Sequence, residues 1–306
     1  GLGDVYKRQA LHKTGVRLKI IASANGVTGT YLGKKFGFEQ STTDVDRVFT
    51  DPEINTVVIT TRHNTHARFV LQALQAGKHV FVEKPLCLHD HELDLIITTY
   101  ANLHHNTSRL PILMVGFNRR FAPHIVKMKA LLDTMRDPKS LITTINAGMI
   151  PSSHWTQDPE IGGGRLIGEV CHFIDLCRFL TGSQIGKREL IRLRSGMGDT
   201  VSITLTFADG SIGAIHYCAN GHRRFPKERL EVFGGGKIVQ LENFNILRGY
   251  GWKGFHRMRL WRQDKGHTAE MKAFVAAIEQ AQSAPIPFEE IVEVTRVTLE
   301  LAQQDT

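Results

Sequence analysis

His79-Val80-Phe81-Val82-Glu83-Lys84-Pro85 decides the fold of this chain. Val80, Phe81 and Val82 form an uninterrupted apolar run with β-branched residues at both ends, the pattern of a strand buried on both faces of a parallel sheet. The run stops on an acid, a lysine and a proline. In open α/β sheets ligands sit beyond the carboxyl ends of the strands, which places Lys84 at the rim of a crevice. A second reading stays open from these residues alone: a Glu/Lys pair on a surface loop, with Pro85 starting a helix.

Working outward, strands alternate with helices. Strands are expected at 16–22, 56–60, 79–82 and 112–116, and helices at 28–37, 44–50, 65–76 and 89–104, with Gly37 and Gly77 as helix stops. That alternation predicts a doubly wound parallel sheet of the nucleotide-binding type. A G-x-G-x-x-G turn between a first strand and a first helix is not found, and Gly1-Leu2-Gly3 has no strand before it. The expectation is a Rossmann-like domain whose first strand and glycine turn lie upstream. Asp4-Val5-Tyr6-Lys7-Arg8-Gln9 reads as the translation of a sequencing adapter, so residues 1–9 are set aside as artefact and the native chain is taken to resume in mid-helix at Ala10. At the end of the second strand stands Ser23, followed by Ala24 and Asn25, where an acid usually binds the ribose 2′-hydroxyl. Ser23 would not repel a 2′-phosphate, so both NAD and NADP remain open.

Length and composition bound the rest. A chain of 306 residues suits two domains, and 42% hydrophobic with 22% charged residues is ordinary for a globular protein. No apolar run approaches the ~20 residues of a membrane span. Cys87, Cys171, Cys177 and Cys218 have no C-x-x-C spacing, so neither a zinc site nor a disulfide framework is expected, no metal is assigned, and a reducing cytoplasm is the natural setting. Net charge is +8, but Arg119-Arg120, Lys187–Arg194 and His222–Arg229 are scattered among acids and apolar residues, which argues against a nucleic-acid stripe.

After Pro123 the grammar changes. A helix at 125–135 leads to a strand at 141–147, then Gly162-Gly163-Gly164 precedes an amphipathic helix over 165–180. Seven further strands follow (191–194, 201–207, 211–217, 229–233, 237–241, 245–248 and 258–261), with Asp209-Gly210 as a hairpin turn, and helices return at 267–280 and 288–302. This is α+β with an open, mostly antiparallel sheet, one face of which is free to pair two subunits. The expected division is 10–120 for a dinucleotide domain and 121–306 for a substrate-binding and oligomerisation domain. On the 165–180 helix, His172 lies three residues from both Glu169 and Asp175, so either carboxylate can meet the imidazole on one face as an acid/base unit. The alternative is a packed helix histidine. Trp155 with Asp158 precedes the glycines and suits a sugar ring, or equally a buried loop tryptophan. Arg223 and Arg224 suit an anionic substrate group or plain solvation.

Three blocks carry a resemblance: Thr60-Thr61-Arg62-His63-Asn64-Thr65-His66, Ala76 to Pro85, and Gly116-Phe117-Asn118-Arg119-Arg120-Phe121-Ala122-Pro123. In order and spacing they resemble the glucose–fructose oxidoreductase/inositol dehydrogenase (Gfo/Idh/MocA) family, and look most like the module that follows an alcohol-dehydrogenase-like region in bi-domain oxidoreductases. The resemblance implies an NAD(P)-dependent oxidoreductase acting on a sugar or sugar-derivative hydroxyl or carbonyl. It implies Thr60, Thr61, Asn64 and His66 along the dinucleotide. Glu83 and Lys84 are placed at the nicotinamide ribose and substrate oxygen, with a cis bond before Pro85. Asn118 on the cofactor side and Arg119 on the substrate side begin the crossing between domains. It further implies His172 in proton transfer, with substrate contacts at His172 and Asp175. The family's aspartate, four residues before that histidine, is Gly168 here. Glu169 from one position along is then a replacement, or His172 works without it. Redox elimination in glycoside cleavage, and a dinucleotide-binding regulator without turnover, are the alternative functions.

Overall fold

A computed structural model describes residues 11, 14–106, 110–194 and 199–304, without the side chains of 104–106. The readings made on residues 1–10 lie outside the described residues. The chain divides into two compact units. One comprises the residues up to Cys87, His91–Gly116 and His267–Phe288; the other comprises Leu88–Asp90, Phe117–Gly266 and the residues from Glu289 onward.

The first unit alternates β1 (Ile20–Ala22), α1 (Gly26–Phe36), β2 (Gln40–Thr42), α2 (Asp46–Thr50), β3 (Thr56–Ile59), α3 (His66–Gln75), β4 (His79–Val82), α4 (Asp90–Asn106) and β5 (Leu113–Val115). All strand pairs are parallel, in two groups, β1–β2 and β3–β4–β5; among the described residues no strand joins the groups. Strand β4 is flanked on both sides, and Val80, Phe81 and Val82 are fully buried, as their apolar run requires. Helix α1 begins where Asn25 accepts a hydrogen bond from Thr28 N (3.2 Å) and ends at Gly37 in the left-handed conformation (φ 75°). Strand β2 is not anticipated by the sequence, because Gln40 and Ser41 are exposed and give no hydrophobic period. The helix expected at 267–280 also falls differently: α7 (His267–Glu279) belongs to the first unit rather than to 121–306. Phe274 is fully buried and meets the Phe81 ring edge-on at 5.6 Å.

The second unit is built on an eight-stranded sheet. Its strands are β6 (Ser140–Asn146), β7 (Ile185–Arg192), β8 (Val201–Phe207), β9 (Ile212–Cys218), β10 (Glu228–Gly234), β11 (Lys237–Glu242), β12 (Ile246–Tyr250) and β13 (Arg257–Arg259), in the order β13-β12-β11-β10-β6-β9-β8-β7. Among the described residues of this sheet only the β6–β9 pair is parallel. Alternate residues Leu141, Thr143 and Ile145, Val201 to Phe207, and Gly213, Ile215 and Tyr217 are buried on one face. Each large aliphatic side chain there contributes about 1.5–3 kcal/mol. The hairpin turn at Asp209-Gly210 forms as read, with Gly210 at φ 84° and its N–H on Phe207 O. Helices α5 (Pro123–Leu132), α6 (Cys171–Thr181) and α8 (Phe288–Gln303) complete the fold.

The helix expected over 165–180 is split. Leu166–Val170 form a π-helical turn, and the α-helix proper starts at Cys171. Helix α6 is buried nearly all round, only Phe179 reaching partial exposure, so each polar residue on it must find a partner inside the protein.

Candidate active site

In the first unit β3, β4 and β5 stop in register. Glu83 N donates to Ile59 O (2.9 Å) and Gly116 N to Val82 O (2.8 Å), which sets Thr60, Glu83 and Gly116 side by side at the carboxyl edge. Half-buried Lys84 follows, joined to Pro85 by a cis peptide bond. A Cβ on Gly116 would lie 3.0 Å from Glu83 Oε2 and 3.4 Å from Glu83 Cα, so the bare backbone there gives the Glu83 carboxylate its room. In the loop after β3, Thr65 Oγ1 donates to Arg62 O (2.7 Å), leaving the Thr61 hydroxyl to donate to Thr65 Oγ1 (2.6 Å). Thr61 and Asn64 are exposed and Thr60 half-buried. His66 is fully buried, with Nδ1 2.7 Å from Pro85 O and Nε2 3.2 Å from Thr61 O. Burial lowers its affinity for a second proton, against the opposing pull of those two carbonyls and Glu83. Of the residues expected along a dinucleotide, Thr60, Thr61, Asn64 and Glu83 therefore share the strand ends, while His66 is enclosed below them.

Ser23 is half-buried at the end of β1, and its N–H donates to Thr42 O (3.0 Å). Asn25 is occupied as the cap of α1. The hydroxyls, amide, carboxylate and lysine at the ends of β3 and β4 fit the ribose and amide of a nicotinamide nucleotide, and the space kept by Gly116 agrees with that fit. Among the described residues no glycine-rich turn offers amides to a pyrophosphate.

In the second unit the glycine run is dictated by backbone. A Cβ on Gly162 would strike Thr156 Cα at 2.4 Å, and Gly163 and Gly164 have φ of 71° and 73°. Asp158 prepares this turn, its Oδ1 accepting from Glu160 N (2.9 Å) and Ile161 N (3.1 Å). Trp155 is half-buried in a short 3₁₀ turn, its ring 5.9 Å from that of His154. His172, on the first turn of α6, is buried and lies edge-on to Phe117 with ring centres 6.2 Å apart.

The structure hydrogen-bonds neither of the two carboxylates flanking His172 to that imidazole. Both oxygens of fully buried Asp175 accept from Arg120 Nε (2.8 and 2.9 Å), with Arg120 NH2 2.6 Å from Oδ1, and the same guanidinium pairs with Glu290. Glu169 accepts from Tyr217 Oη (2.5 Å), Lys227 Nζ (3.0 Å) and Arg165 NH2 (3.0 Å). Burial pushes the Glu169 carboxyl upward, but Lys227, Tyr217 and Arg165 together hold it well below the usual carboxylate range. An anion so held neither takes nor gives a proton readily near neutrality.

Asn118 and Arg119 are likewise engaged within the second unit. Asn118 Nδ2 donates to Lys265 O (2.6 Å), and buried Arg119 forms a fork on Glu228, Nε to Oε2 at 3.0 Å and NH2 to Oε1 at 3.1 Å, with its guanidinium 4.7 Å above the Phe173 ring. Lys265 Nζ completes the cluster at 2.5 Å from Glu228. Burial works against the Glu228 charge, yet Arg119 and Lys265 pull its carboxyl down to about 2. Sequence reasoning did not single out Arg165, Tyr217, Glu228 or Lys265. The signals available were the arginine directly after the glycine run, the inward alternation of β9 that aims Tyr217 at Glu169, and the basic run 222–229 that contains Lys227.

Comparison with known proteins gives concordant results. Residues 1–107 match the model described as GFO/IDH/MocA oxidoreductase family, NAD-binding Rossmann fold, and residues 127–239 match that of the GFO/IDH/MocA C-terminal domain. The inositol 2-dehydrogenase of Rhizobium meliloti (strain 1021) is 27% identical over 304 residues, covering 93% of this chain and 88% of that protein. The levoglucosan dehydrogenase of Pseudarthrobacter phenanthrenivorans is 27% identical over 268 residues, covering 72% of this chain and 64% of that protein. Among solved structures, a levoglucosan dehydrogenase in complex with NADH and levoglucosan superposes with a TM-score of 0.85 at 22% identity, covering 99% of this chain and 94% of that one. An oxidoreductase domain protein from Kribbella flavida gives 0.86 at 21%, again with 99% and 94% coverage.

Proposed function

Because the chain belongs to the GFO/IDH/MocA oxidoreductases, we propose that it transfers a hydride between NAD or NADP and a secondary hydroxyl or carbonyl of a polyol or sugar derivative. The observation that carries this reading is the register of β3, β4 and β5, which delivers Thr60, Glu83 and Lys84 to one carboxyl edge beside the bare backbone of Gly116. A bound nicotinamide supplies the hydride chemistry. The ammonium of Lys84 donates a hydrogen bond to the reacting oxygen and steadies the negative charge that builds there. Thr60, Thr61, Asn64 and Glu83 orient the nucleotide. Ser23, with no carboxylate in its place, tolerates either a 2′-hydroxyl or a 2′-phosphate on the adenosine side.

His172 is the proton carrier. Its imidazole can both accept and donate a proton, and the carboxylates beside it are bound to other partners. Glu169 acts as a fixed anion holding Tyr217, Lys227 and Arg165, and Trp155 supplies a flat apolar surface for the sugar ring. Cys87, Cys171, Cys177 and Cys218 are thiols, which suits a reducing compartment such as the cytoplasm. Ile191 and Ile212, exposed on the sheet face opposite Tyr217, suit pairing of two copies of the chain.

The test is to mix the chain with NAD⁺ or NADP⁺ and a panel containing inositol, levoglucosan and related polyols, following cofactor absorbance. Reduction with at least one polyol is the expected result. Tight cofactor binding with no turnover on any of them would replace hydride transfer by a regulatory role. Exchange of substrate carbon-bound hydrogen with solvent, with glycoside cleavage, would replace it by redox elimination.

A further inference from the structure

His66 opens α3 and touches two loops that leave neighbouring strands: Pro85 O, beyond β4, lies 2.7 Å from Nδ1, and Thr61 O, beyond β3, lies 3.2 Å from Nε2. Both contacts are acceptors, whereas a neutral imidazole carries a single N–H. The shorter contact takes the proton, so Nδ1–H donates to Pro85 O. We propose that His66 is a positioning residue for hydride transfer, fixing through this bond the Pro85 carbonyl and with it the turn that presents Lys84; the inference rests on the role given to Lys84 above.

The mechanical chain is continuous. Helix α3 is anchored in the core by Ala67, Val70, Ala73 and Leu74, each at most 2% exposed, which fixes the backbone of His66. The ring is fully buried, so water does not compete for its N–H. Proline has no N–H of its own, and the turn at Pro85 relies on acceptors such as its carbonyl for attachment. On the far side of the ring, the Thr61–Thr65–Arg62 hydrogen bonds hold the loop against which Nε2 rests. The His63 ring packs at 5.6 Å. A buried carbonyl stripped of its donor would move or recruit water, and Lys84 is bonded directly to Pro85.

Three variants separate positioning from bulk packing. In His66→Asn the side-chain amide N–H stands where Nδ1–H stood; in His66→Gln it reaches the place of Nε2; in His66→Leu there is no donor. The expected order is near-normal kcat for His66→Asn, and losses of about 10- to 100-fold in kcat, with smaller changes in KM, for His66→Gln and His66→Leu. Two measurements need no turnover. Nitrogen-15 shifts of the His66 ring should show a protonated Nδ1 and a bare Nε2. The rate of Lys84 acetylation by dilute acetic anhydride, normalised to exposed Lys34 and read by mass spectrometry, should change several-fold in His66→Gln and His66→Leu but not in His66→Asn. An Nε2–H tautomer, or equal behaviour of the Asn and Gln variants in both kcat and acetylation, would overturn the inference. If the unaltered chain oxidises no polyol, the hydride-transfer reading fails while tautomer and acetylation still decide the role of His66.

Discussion

Replacing Glu228 by glutamine removes the anion on which two cations of the second unit converge. The carboxylate is 4% exposed and accepts both arms of the Arg119 fork and the Lys265 ammonium. Its carboxyl, pulled from the usual 4.5 down to about 2, corresponds to about 3 kcal/mol of stability at neutral pH. An independent route gives the same size: uncovering one partner of a buried ion pair costs about 3–5 kcal/mol, because Arg119 stays charged and enclosed over Phe173. The folded-state value is depressed, so the stabilisation is complete above the unfolded value of 4.5 and is lost as pH falls from there toward 2. Urea unfolding of the parent and Glu228→Gln, followed by circular dichroism, should therefore differ by about 3 kcal/mol near neutrality. The gap should narrow steadily over that acidic range. Thermal midpoints should separate by roughly 6–12 °C. A difference below about 1 kcal/mol at neutral pH, or one that does not shrink on acidification, would refute the ion-pair reasoning.

Other variants probe the remaining clusters. Asp175→Asn leaves Arg120 with Glu290 alone, but burial pushes the Asp175 carboxyl up to about 6 against the pull of Arg120. Its loss in urea unfolding near neutrality should therefore be smaller than that of Glu228→Gln, and an equal or larger loss would contradict this. Tyr217→Phe removes one hydrogen bond to an ionised acceptor, and a loss of about 1.5–3 kcal/mol is expected by the same assay. Glu169→Gln should lower kcat less than about tenfold and leave the pH midpoint of kcat/KM in place; a loss of about 10²–10⁴-fold would make Glu169 the proton carrier after all. Gly116→Ala pushes on Glu83 Oε2, the end of a flexible side chain, so its unfolding midpoint should barely move while NADH affinity, read by fluorescence titration, weakens.

Local patterns were readable and distant pairings were not. The run Val80-Phe81-Val82 gave away a doubly flanked strand, because burial on both faces imposes an apolar residue at every position. Inward alternation exposed β8 and β9 for the same reason. Strand β2 left no trace, since polar Gln40 and Ser41 sit at an exposed position where hydrogen bonding alone makes the strand. The return of α7 to the first unit depends on Phe274 meeting Phe81, a contact between residues far apart in the chain. The same holds for the site. Lys84 is marked by where its strand stops, whereas Arg119 reads as an available cation until Glu228, 109 residues later, is seen to hold it. Helical spacing put Glu169 and Asp175 within reach of His172, but the π-helical turn at Leu166–Val170 and the stronger cations Arg120, Arg165 and Lys227 took both carboxylates instead.

Lys84 is where hydride transfer can be tested most directly. The parent chain, Lys84→Ala and Lys84→Arg are mixed with NAD⁺ or NADP⁺ and the polyol that the panel identifies, and cofactor reduction is followed under saturating conditions. The parent should reduce the cofactor, with kcat in Lys84→Ala lower by about 10²-fold or more while bound cofactor is retained. Lys84→Arg, which keeps the charge in a different donor geometry, should fall between the two. Cofactor reduction by Lys84→Ala at the parent rate would contradict the role assigned to this lysine.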